Sequence, residues 1–298
     1  MFWKIVKRIL LVLLSIILLF VAYVAYELNR AEMFKDPEFE TEAPALPDDL
    51  NRPAILIFSK TNGFRHVDVI GKSQHTLETL CQANGWSFFS TENGATFRPD
   101  YLAQFDAVVW NYTSGTTLLP DQQLAFEEYM RNGGGYVGIH AAGGDPSYEW
   151  DWYVDSLLRA QFVDHPMFPQ LQKAVLRLED RSHPSTSHLP DTWMMTDEWY
   201  NFAESPRSKG VNVLVNIDEE SYKPQFSPMG ADHPMIWHHR LGEGRVFYSA
   251  LGHNPDILQF KGYRQMLSGA IAWAAGLHEP AEAPDSLALI PAPAVPID

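Results

Sequence analysis

Apolar and polar positions alternate along most of this chain in blocks that have the lengths of buried strands and amphipathic helices. Residues 54–59 are a nearly unbroken apolar run, which suits a central parallel strand covered on both faces. The polar loop Lys60-Thr61-Asn62-Gly63-Phe64-Arg65-His66 follows. Ile70, Leu77, Leu80 and Cys81 then recur on one side of a helix expected over 69–84 and stopped by Gly85. The pattern repeats with strands at 86–90 and 105–110, a polar loop at 111–115, and a helix that Pro120 opens and Asn132-Gly133 ends. A fourth strand, 136–139, sits between glycine clusters and closes on His140 and the small residues Ala141, Ala142, Gly143 and Gly144. Strands alternating with helices predict a parallel α/β sheet with right-handed connections.

The second half is less regular. Strands are expected at 174–178 and 211–217. A further pair, 234–240 and 245–250, flanks Gly242-Glu243-Gly244 as an antiparallel hairpin, with His253 just past its far end. Between them lie a histidine- and proline-rich loop at 181–190 and the acidic pair Asp197-Glu198 among Trp199, Tyr200 and Phe202. A last helix is expected near 257–275. The organisation is then an N-terminal segment at 1–30, a proline-containing acidic linker at 31–52, one globular domain at 53–278 and a disordered tail at 279–298.

The N-terminal segment changes the picture of where the domain sits. Lys4, Lys7 and Arg8 precede an uncharged run from Ile9 to Tyr26, and roughly 18 to 20 apolar residues suffice to span a bilayer. With the basic flank in the cytoplasm, the positive-inside rule places the domain outside, in a periplasmic or extracellular setting. A cleaved signal peptide is the competing reading, although the run is long for a signal core and offers no clear small-x-small cleavage site. Beyond Tyr26, 19 basic residues face 37 acidic ones, a net of −18, which excludes nucleic acid as an expected ligand. Cys81 is the only cysteine, so no internal disulfide can form, and its spacing from Leu77 and Leu80 marks a helix core position.

The candidate chemistry lies in residues placed where loops meet strand ends. His140 stands at a strand's carboxyl edge, where open α/β sheets bind ligands. His66, His253 and, less securely, His165 occupy comparable loops, and Glu198 supplies a carboxylate. Neutral imidazoles transfer protons near pH 7 or bind a divalent metal of borderline softness, and a carboxylate can orient them or share the ion. For any one of these histidines the bland account is a strand cap that satisfies loop carbonyls. No His-Glu-x-x-His, Gly-x-Ser-x-Gly, dinucleotide or phosphate-loop pattern is present. His183, His188, His233, His238 and His239 have ordinary loop or strand explanations, the last two facing opposite sides of a strand. Trp150, Trp152, Tyr153, Trp199, Tyr200 and Trp237 are either sugar-stacking faces or buried packing.

Five motifs in order resemble the trehalose-utilisation, or ThuA-like, family. They are Gly63-Phe64-Arg65-His66, the stretch from Gly134 to Ala142, His183-Pro184 with Leu189-Pro190, the stretch from Asp197 to Phe202, and Gly244 to Tyr248 with Leu251-Gly252-His253. The resemblance implies a flavodoxin-like, class I glutamine amidotransferase-like three-layer α/β sandwich, its sheet mostly parallel with an antiparallel hairpin near the C-terminus. Amidotransferases carry a cysteine after a Gly-Ile pair; here Gly138-Ile139 precedes His140, so glutamine hydrolysis through a thioester is not expected. Family association implies carbohydrate catabolism, in particular of 3-keto-glycosides. On that reading His140, His253, His66 and Glu198 act as acid, base and candidate ligands of a divalent metal, and Arg65, Asp197, Trp199 and Tyr200 contact the sugar. A sugar oxidoreductase is the implied partner. The alternative is a sugar-binding or scaffold domain of the cell envelope that turns nothing over.

Overall fold

The computed structural model describes residues 2–277 and 282–284. An N-terminal helix, α1 (Phe2–Arg30), has no buried residues and is long and apolar enough to cross a membrane, a test that a signal sequence also passes. The domain begins with β1 (Ala54–Phe58), fully buried, and α2 (Ile70–Asn84), which stops where Gly85 takes the left-handed conformation at φ 68°. Then come β2 (Ser87–Thr91), the single turn α3 (Pro99–Leu102), β3 (Ala107–Asn111), α4 (Pro120–Arg131) and β4 (Gly135–Ile139). The second half supplies β5 (Phe162–Asp164), β6 (Gln172–Leu178), β7 (Thr192–Asp197), β8 (Asn201–Phe202), β9 (Asn212–Asp218), β10 (Pro234–Leu241), β11 (Gly244–Ser249) and α5 (Lys261–Ala274).

Nine strands form one mixed sheet in the order β2-β1-β3-β4-β11-β10-β9-β6-β7. The first five pair in parallel and the rest antiparallel, so the antiparallel part extends well beyond the expected hairpin. The order β2-β1-β3-β4 reverses direction at β1 and β3, which makes a crevice at their carboxyl ends. α2 and α5 cover one face of the parallel half and touch each other. The other face is covered by α4 and an aromatic stack in which Trp110 lies against Phe126 and Tyr153, with Trp150 beside them. Trp237 is buried and donates to the Leu158 carbonyl, so these rings pack the core. The hairpin turns at Gly242 and Glu243, and Leu241 pairs with Gly244.

Two elements differ from the expectations. The final helix starts late, because a short 3-10 turn, Pro255–Gln259, precedes it. Most of the tail at 279–298 lies outside the described residues; Ala283 is buried, and Glu282 pairs with Lys261 at 2.6 Å. The stretch expected as a linker lies along the domain as a strap. Asn62 holds Glu38 at both backbone groups, Asn93 donates to the Glu42 carbonyl and Tyr101 to that of Pro44. Glu40 is its main fastening: its carboxylate accepts from buried Lys60 at 2.5 Å and from the Gly94 amide at 2.8 Å.

Burial pushes the Glu40 carboxyl up, but the bonds from Lys60 and Gly94 outweigh it and hold the carboxyl below its ordinary value. A depressed carboxyl stabilises the docked strap above the ordinary carboxylate pKa, and that contribution is lost as pH falls through the lower folded value. Glu40→Gln is therefore expected to loosen the strap by about 1 to 3 kcal/mol at pH 7. The difference from wild type should shrink as the pH drops below about 4.5. Hydrogen exchange at the Gly94 amide reads it, and identical protection at pH 7 would contradict the assignment.

Candidate metal centre

Four chain-distant side chains meet at the carboxyl edge of the parallel strands. His66 follows β1, and its carbonyl accepts from the Val69 and Ile70 amides as α2 begins. His140 ends β4, His253 follows β11, and Glu198 follows β7. Although three strands separate β7 from β11 in the sheet, the Asp197 carboxylate accepts from the Gly252 amide at 2.7 Å and the Asn254 amide at 2.8 Å. The antiparallel half thus curls back until Glu198 reaches the end of β4. One ligand atom from each of His66, His140, Glu198 and His253 lies within 4.8 Å of every other.

Local backbone geometry makes this convergence possible. His140 has φ 49°, a left-handed conformation that non-glycine residues adopt rarely and that here turns the side chain sharply off the strand end. The ring is completely buried, and its Nδ1 donates to the Ala250 carbonyl at 2.7 Å. That bond turns Nε2 inward, 3.3 Å from His253 Nδ1 and 3.4 Å from Glu198 Oε2. The small residues after His140 leave room for Tyr200. Its ring stacks on the imidazole at 4.3 Å, its hydroxyl is hydrogen-bonded to Nε2 at 2.8 Å, and a Cβ on Gly144 would meet that ring at 2.2 Å. Gly252, at φ 131°, likewise leaves no space for a Cβ beneath the Tyr112 hydroxyl.

The electrostatics follow from burial and mutual contact. Burial pushes the Glu198 carboxyl up, but hydrogen bonds with His140 and His253 dominate and hold it well below the carboxylate range. Burial lowers the His253 pKa, yet contact with Glu198, at 3.2 Å, raises it above the ordinary histidine value on balance. His66 is held well below its ordinary value by burial and by the neighbouring His140 and His253, and its buried Nδ1 has no hydrogen-bond partner. An orphaned imidazole nitrogen beside an ionised carboxylate and two more imidazoles fits a divalent cation of the zinc type, which takes nitrogen and oxygen donors in fourfold coordination.

The remaining sequence-level candidates take supporting places. Asp197 braces the His253 loop, and burial raises its pKa despite the hydrogen bonds it accepts. Trp199 is buried, donates to the Gln172 carbonyl and packs near Tyr222, away from the donor set. Arg65 is committed to Glu92 through two hydrogen bonds, with Glu32 and Thr61 beside it. His165 does join the rim: its Nδ1 lies 3.2 Å from Glu198 Oε1 and 3.0 Å from the Pro166 carbonyl. Gln170, which sequence reasoning missed, donates to Glu198 Oε1 at 2.5 Å; the irregular loop 165–171 carries no pattern that would single it out. Cys81 is buried in α2, its thiol pushed up to about 12 by burial, so it offers no thiolate.

Fold and site together define an α/β protein with a mixed nine-stranded sheet and a histidine-glutamate cluster at the carboxyl edge of its parallel half. The chain belongs to the ThuA family, trehalose utilisation, whose profile matches residues 54–274. Among solved structures it is similar to a ThuA-like protein from Bacteroides uniformis, with 25% identity and a TM-score of 0.65 over 78% of this chain and 95% of that one. A ThuA-like protein from Parabacteroides merdae aligns at 20% identity and a TM-score of 0.60 over 76% of this chain and 91% of that one. The cytoplasmic protein STM1381 from Salmonella typhimurium shares the fold at 15% identity and a TM-score of 0.52, over 74% and 99%. No curated protein sequence matches.

Asp197→Asn should test the brace. It replaces an acceptor facing two buried amides and is expected to cost about 1 to 3 kcal/mol in denaturant midpoint analysis, with faster hydrogen exchange at Gly252 and Asn254. Unchanged exchange at both amides would show that Asp197 does not hold the His253 loop.

Proposed function

We propose that this is a membrane-anchored carbohydrate enzyme that cleaves 3-keto-glycosides by elimination, with the His66, His140, Glu198 and His253 set as its centre. The observation that carries the reading is the convergence of these four donors within 4.8 Å at the carboxyl edge of the sheet. Family membership supports carbohydrate as the substrate class, and the exposed 29-residue apolar helix supports the anchor.

A ketone at C3 of a sugar acidifies the proton at C2. Removal of that proton gives an enolate, and the electron pair then expels the C1 substituent as an alkoxide, which takes up a proton and leaves an unsaturated keto-sugar. No oxocarbenium ion and no carboxylate pair are required. A divalent cation held by the four donors would supply a Lewis acid for the ketone or enolate oxygen. His165 is suited to moving the proton: with Nδ1 between Glu198 and the Pro166 carbonyl, its basic nitrogen is Nε2, and the ring is partly exposed at the rim. Gln170 and Tyr200 keep Glu198 and His140 oriented.

The test is release of nitrophenolate from a 3-keto nitrophenyl glycoside by the full chain. His140→Ala and Glu198→Gln are each expected to lower turnover by about 100-fold or more. Full turnover in both variants would contradict the proposal. Thermal stabilisation by the keto-glycoside without its consumption would point to a binding domain instead.

A further inference from the structure

The end of α1 is fastened to the loop that carries His66. The Arg65 amide donates to the Ala31 carbonyl at 2.9 Å, Arg30 pairs with Asp68, and Glu32 lies 3.7 Å from Arg65. The apolar run ends at Tyr26, five positions before Ala31, so if α1 spans a bilayer the His66 loop lies about 8 Å along the axis from the bilayer's polar boundary. Exposed apolar side chains gather at this end. Met33 and Phe34 lie just past the helix, and Phe64 is 41% exposed while its ring packs on His66 at 4.9 Å. Across the site, loop 165–171 brings His165 and Gln170 to Glu198, and its tip is Phe168, at 83% the most exposed large apolar residue among those described. Gln225 bonds the backbone of Met167 and Phe168 and sets Phe226, 61% exposed, beside them.

Phe168 and Phe226 are mostly exposed to water, and Phe64 turns much of its ring outward on the other side of the polar centre. An apolar surface beside a membrane-spanning helix has an occupant at hand in the same bilayer. The nearby charges are mixed in sign, Glu27, Arg30, Glu32, Lys35, Asp36 and Asp68, so apolar insertion and not attraction to anionic lipid would drive the contact.

We propose that the site's rim, Phe64 on one side and Phe168 with Phe226 on the other, dips into the leaflet that α1 leaves, so that the histidine centre opens onto lipid headgroups and takes a carbohydrate carried by a membrane amphiphile. This rests on the anchor reading above. Substrate would reach the centre along the membrane plane, with its lipid tail remaining in the leaflet while the sugar meets His165 and the four donors.

Single-cysteine labelling of the full chain in phosphatidylcholine nanodiscs tests it. Cys81 is buried and its thiol is protonated at neutral pH, so introduced thiols react selectively. Bimane is attached at Leu14→Cys in α1, at Phe64→Cys, Phe168→Cys and Phe226→Cys on the rim, and at Glu243→Cys in the hairpin turn at the opposite end of the sheet. Lipids with brominated acyl chains should quench emission at positions 14, 64, 168 and 226 and leave position 243 bright. Quenching at 14 with the three rim positions as bright as 243 would overturn the rim proposal while leaving the anchor intact. No quenching at 14 would overturn the anchor and the proposal together. Phe168 and Phe226 report the same side of the rim independently, so one misfolded variant does not decide the result.

Discussion

The site depends on the convergence of four donor groups, His66, His140, Glu198 and His253, at the carboxyl edge of the parallel strands. His140 is locked by the Ala250 carbonyl so that its Nε2 points inward, and there it meets Glu198 and His253. Glu198 is buried and held in its ionised form by the groups around it, and a buried carboxylate is tolerated only with such partners. His253, its pKa raised by contact with Glu198, is one such partner, while His66 adds a buried nitrogen with none. A divalent cation would satisfy all four groups at once, whereas one proton satisfies a single pair.

The rest of the fold holds those groups against their mutual repulsion. Three come from parallel strands whose carboxyl ends necessarily lie together, and the fourth arrives because the antiparallel half of the sheet curls over them. Asp197, next to Glu198, ties that curl to the His253 loop through two backbone amides. Tyr200 extends the tie to His140, and its own carbonyl accepts from His233, which in turn contacts Glu219. The left-handed backbone at His140 is retained because the surrounding packing over-determines it, as expected where strain serves a site.

Much of this was legible in the sequence, for identifiable reasons. β1, β3 and β4 stand out because strands covered on both faces must be apolar throughout, while Gly85 marks the end of α2 and the Gly-Glu-Gly turn the β10–β11 hairpin by backbone conformation. β7 was hidden because its residues alternate between exposed and half-buried at a sheet edge, and β5 and β8 are too short to carry a period. The strap reads as a linker because prolines and acids resemble solvated chain, and only the position of Lys60 reveals why Glu40 docks. His66, His140, Glu198 and His253 could be singled out by their places at strand ends and by the family motifs. Their supports could not, since the Ala250 carbonyl and Gln170 act across long sequence separations.

The measurement that bears most directly on this account is the metal content of the full chain, purified without chelator, for wild type and His140→Ala. A cation-centred site predicts stoichiometric divalent metal in the wild type and its loss in the variant. A metal-free wild type, or equal metal in both proteins, would contradict it.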